Sequence, residues 1–100
     1  MRSESAEILE IIDHVLRIIR TVPQDLLWQN RYADEAELAA ELSELAARIR
    51  RGDPSALADL RYLFLPTGPL CEIAASSGWL ETYTTLGNRF DELHGRLRWI

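Results

Sequence analysis

The sequence has one cysteine, Cys71, and no lysine among its eleven basic residues. A lone cysteine excludes an internal disulfide and fits a reducing compartment. Because Arg codons are GC-rich and Lys codons AT-rich, the missing lysine reads first as the bias of a GC-rich bacterium. A set of Arg kept for bidentate anion contacts is the second reading. Five Gly and four Pro place the chain outside the collagen-like, low-complexity and disordered classes. No apolar run approaches the ~18 residues that cross a bilayer. Met1 to Glu10 carries Glu4, Glu7 and Glu10 where a secretory signal has a basic start and an apolar middle. A cytoplasmic protein is the expectation. No alternating pattern marks a strand, and no period of ~20 to 50 residues marks a solenoid.

Positive charge is scarce. Sixteen acids against eleven Arg give a net charge of -5 and a pI near 4.9. The resulting field repels phosphate backbones and anionic lipid heads, so neither nucleic acid nor a membrane is an expected partner. What remains is an ordinary globular composition, 47% hydrophobic and 27% charged. A chain of 100 residues buries roughly 65% of its unfolded surface, enough for one core and one domain over residues 1–100.

Apolar spacing predicts an all-α bundle of four main helices plus one or two short helical turns. From about Ser5 to Arg20, Ile8, Ile12, Val15 and Ile19 form a stripe widened by Leu9, Ile11, Leu16 and Ile18, with Pro23 preventing continuation. Leu26, Leu27 and Trp28 dock the following connection. Asp34 and Glu37 have the spacing of a capping box ahead of Leu38, Leu42, Leu45 and Ile49, and Gly52 supplies a left-handed end. Asp53 and Pro54 open a third helix carrying Leu57, Leu60, Leu63 and Phe64, and Pro66 closes it. Leu65 to Pro69 is a rigid loop in which Thr67 and Ser77 are placed to cap the flanking helices. A short helix runs from Leu70 to Ala75. A last one, about Trp79 to Arg98, has Leu80, Tyr83, Leu86, Phe90, Leu93 and Leu97 on its seam; Gly87 within it implies the close approach of another helix.

Chemistry-bearing residues are few. Asp91 and His94 share a helix face at a metal-ligating spacing, but no further ligand is marked. His14 has Glu10 and Asp13 nearby. Cys71 lies in the first turn of a short helix, where the dipole favours a thiolate, yet a base would have to arrive from elsewhere. Ser76, Ser77 and Gly78 read as a cap rather than an anion site. There is no phosphate-binding loop, dinucleotide fingerprint, paired-histidine zinc motif or cysteine zinc spacing, so no enzyme, no cofactor and no metal is expected. Arg48, Arg50, Arg51 and Arg61 cluster around the Gly52–Asp53 turn in a helix-turn-helix-like arrangement. The second helix, however, offers Pro54, Ala56, Leu57, Ala58 and Asp59 where base-reading side chains belong.

Negative charge is concentrated early: residues 1–47 carry ten acids and four Arg, a net of -6. Glu37, Glu41 and Glu44 lie along one side of the second helix, with Arg48 one turn beyond Glu44. The plain reading is a solvated face; the functional one is a docking strip for a basic protein.

From Ile49 to Trp79, the residues Ile49, Gly52, Asp53, Ala56, Leu57, Leu60, Phe64, Pro66, Thr67, Gly68, Leu70, Glu72, Ile73, Ser76, Ser77, Gly78 and Trp79 form a pattern of caps, turns and core positions. It resembles small helical bacterial proteins, some similar to immunity proteins encoded beside polymorphic toxins. The resemblance implies a non-enzymatic domain that neutralises a toxin by direct binding and supplies no catalytic residue. On that expectation Glu35, Glu37, Glu41 and Glu44 form the strip, and Trp28, Tyr32 and Trp79 are the candidate anchors; Trp79 is better placed as a core plug. The alternative is a homodimeric helical module, suggested by apolar residues on more than one side of the first helix and by Leu97, Trp99 and Ile100 at the chain end.

Overall fold

Helix α1 (Glu4–Thr21) sets the architecture, because its apolar stripe is wide enough to serve two neighbours. In a computed structural model, described over residues 3–24, 26, 32–65 and 68–97, α1 packs against both α2 (Glu35–Arg50) and α5 (Leu80–Leu97). Ile8, Ile11, Ile12, Val15, Leu16 and Ile19 are all buried between them. The Ser3 side chain caps the helix by accepting from the Ala6 N–H, and Glu4 and Glu7 occupy the first turn, where negative charge complements the dipole. Of the residues off the main α1 line, Ile11 is buried and Ile18 is partly buried against the core.

Asp34 accepts from the Glu37 N–H, and Glu37 reaches back past the cap residue to the Ala33 N–H, a box-like closure displaced by one residue from the expected one. Gly52 (φ 80°) ends α2, and the Asp53 N–H returns to the Arg48 carbonyl. Asp53 then caps α3 (Pro54–Leu63) only three residues after α2 ends, so α2 and α3 pack side by side. The short helix is longer than the spacing predicts: α4 runs Pro69–Ser77, since a proline in the first turn forfeits no intrahelical bond. Ser76 and Ser77 are therefore the last two residues of α4 itself, one step inside the end that they were expected to close. Gly78 (φ 87°) closes α4, with the Trp79 N–H on the Ala74 carbonyl. All the described residues in regular structure are helical.

A row of rings ties α3 to α5. Phe64, at the end of α3, lies between Tyr83 and Phe90, with centroids at 5.8 and 5.0 Å, and Trp79 meets the edge of Tyr83 at 6.3 Å. Gly87 stands between Tyr83 and Phe90 along α5. An added Cβ there would meet the Phe64 ring at 3.8 Å, so what approaches the glycine is the end of α3, through an aromatic side chain. Leu80, expected on the seam, is instead 42% exposed. Gly68 has ordinary φ but no room. A Cβ would come within 2.8 Å of the Tyr62 carbonyl oxygen and 3.1 Å of that of Leu65, backbone atoms that cannot turn aside.

Candidate functional site

The three-residue link between α2 and α3 places Asp59 and Tyr62 of α3 opposite Glu41, Glu44 and Leu45 of α2. Together with Arg48 they line an open groove of about 340 Å³. Leu45 is buried, while Tyr62, at 52% exposure, is the most exposed large hydrophobic side chain among the described residues. The groove thus combines a half-exposed aromatic ring with carboxylates on both helices.

Arg48 organises the inner end. Its Nε donates to Asp53 Oδ2 at 3.1 Å, one terminal nitrogen donates to Ser55 Oγ at 2.7 Å, and the other pairs with Asp59 Oδ2 at 3.1 Å. Asp53 also accepts from the Ser55 hydroxyl and N–H. These Ser55 bonds and the Arg48 guanidinium hold its carboxyl down to about 2, and Asp53 and Asp59 push the Arg48 pKa further up. The pairing of Arg48 with Glu44 suggested by their spacing gives way to this network, which joins the end of one helix to the start of the next. Glu44 faces Arg51 instead, at 3.7 Å and with both side chains about two-thirds exposed. Such a pair contributes little and is readily exchanged for another cation. Arg48, one of the four arginines around the turn, is thus bound to carboxylates on both sides.

The other expected site residues separate by location. Glu35 accepts from the Gln24 N–H at 3.1 Å and Glu37 from the Ala33 N–H at 3.2 Å, so both fasten the connection into α2, whereas Glu41 and Glu44 border the groove. Tyr32 is only 5% exposed and belongs to the core, which corrects its place as an exposed anchor. Trp28 lies outside the described residues, as do Thr67 and, at the chain end, Trp99 and Ile100. Trp79 is buried, and its indole N–H donates to Gln24 Oε1 at 2.8 Å. Tyr62 and Asp59 were missed by sequence reasoning. Their three-residue spacing on α3 marks a shared face, but only the helix packing puts that face beside Glu41 and Glu44.

The nucleophile and acid–base candidates are dispersed over three helices. His14 is exposed on α1, Cys71 is half-buried on α4, and His94 on α5 lies against Phe90 with centroids at 5.7 Å. Among the described residues, no three His, Cys, Asp or Glu side chains stand together as a metal ion would need, and no helix is long and apolar enough to cross a membrane. Compared with protein-family models, curated proteins and solved structures, the chain matches none.

Proposed function

We propose that the chain is a non-enzymatic protein-binding domain of the immunity or antitoxin type, and that it neutralises a basic toxin domain through the α2–α3 groove. The observation that carries this reading is the half-exposed Tyr62 ring in a groove bordered by Glu41, Glu44 and Asp59. Interfaces draw most of their energy from a few desolvated aromatic or Arg anchors, whereas surrounding charges set approach and register. Here Tyr62 is the anchor. Glu41 and Glu44 steer a cationic partner, and Glu44 exchanges Arg51 for a partner's Arg or Lys. A second copy of the chain is the less suitable occupant, because a two-fold contact would set this acidic rim against itself.

The test is co-expression with the product of the neighbouring open reading frame, followed by capture and kinetic measurement of any complex. Tyr62→Ala is expected to weaken binding about 30-fold or more, the effect of losing a hot spot of ~2 kcal/mol. Glu41→Gln with Glu44→Gln is expected to slow association and flatten its salt dependence, with little change in dissociation. Absence of any complex would refute the toxin-binding role. A complex unaffected by all three substitutions would keep that role and remove the groove from it.

A further inference from the structure

We draw no further inference here: the strongest candidate, the half-open cavity of about 160 Å³ where Cys71 of α4 lies beside Tyr83, Gly87 and Asp91 of α5, rests on a lone cysteine, with no bound group and no buried unpartnered polar side chain among the described residues to say what would enter it.

Discussion

Trp79 offers the most direct test of how the bundle is held together. Its indole is 7% exposed, meets the edge of Tyr83, and donates across 55 residues of sequence to Gln24, while its carbonyl accepts the Tyr83 N–H in the first turn of α5. Trp79→Ala removes a buried bicyclic ring from the junction of α4, α5 and the α1–α2 connection. The loss is expected to be ~3–5 kcal/mol, against a total stability of roughly 5–15 kcal/mol. Urea titration followed by helical circular dichroism should show the midpoint collapse, and the thermal midpoint should fall by more than ~10 °C. Trp79→Phe and Gln24→Ala separate the two contributions. The first keeps an aromatic ring beside Tyr83 but loses the donor; the second leaves the indole in place without its acceptor. A double-mutant cycle between positions 24 and 79 should return a coupling of about 0.5–1.5 kcal/mol, the net worth of one part-buried hydrogen bond. If Trp79→Ala melts like the parent, the ring is not a core element, and the packing of α5 described above is wrong.

The two constrained glycines should respond in opposite directions. Gly87→Ala fits at 3.8 Å from Phe64 and should stabilise α5 by about 0.5–1 kcal/mol, whereas Gly68→Ala drives a methyl into the Tyr62 carbonyl and should destabilise markedly; equal melting shifts would contradict both assignments. Burial, reinforced by the nearby Cys71 and Asp91, pushes the Tyr83 hydroxyl up to about 12, so stability that is full below pH ~10 is lost as pH rises from 10 to 12. Tyr83→Phe should flatten that alkaline slope in urea midpoints measured across the range, and an unchanged slope would rule the residue out. The depressed Asp53 carboxyl works at the other end, with stability present above pH ~4 and lost as pH falls toward 2. Asp53→Asn should reduce the acid slope, and Arg48→Ala should do so less, because Ser55 remains to hold the carboxylate.

The helices were legible because the signals that start and stop them are local. Asp34 with Glu37, Asp53 with Pro54, and the two left-handed glycines each act within a few residues of their own position, and each stands where its chemistry requires. The width of the α1 stripe was equally visible, but its meaning was not. Ile11 and Ile18 off the main line fit a dimer seam and a helix enclosed by two neighbours equally well. The packing of α2 and α5 against α1 is what encloses Ile11 and partly covers Ile18. The same limit applies to Gly87 and Gly68. Gly87 implies a close neighbour without naming the Phe64 ring, and Gly68, between prolines, suggests conformational freedom although the backbone carbonyls opposite its missing side chain are what define it.

The candidate surface was half legible for a related reason. Spacing on a helix tells which side chains share a face, so Glu37, Glu41 and Glu44 could be grouped, but it does not tell which of them the backbone claims. Glu35 and Glu37 lie where unpaired N–H groups collect ahead of α2, and those donors take them; Glu41 and Glu44, one and two turns further on, line the groove. Arg48 follows the same logic. One turn from Glu44, it looked like that residue's partner, but the three-residue link returns the chain so tightly that Asp53, Ser55 and Asp59 reach the guanidinium together. A fork with five N–H donors is better satisfied by three oxygen-bearing neighbours than by one flexible glutamate in water. By holding the start of α3 against the end of α2, that network fixes where Tyr62 emerges beside Glu41 and Glu44. Arg48→Ala should therefore loosen the groove even though the lost side chain need not touch the partner.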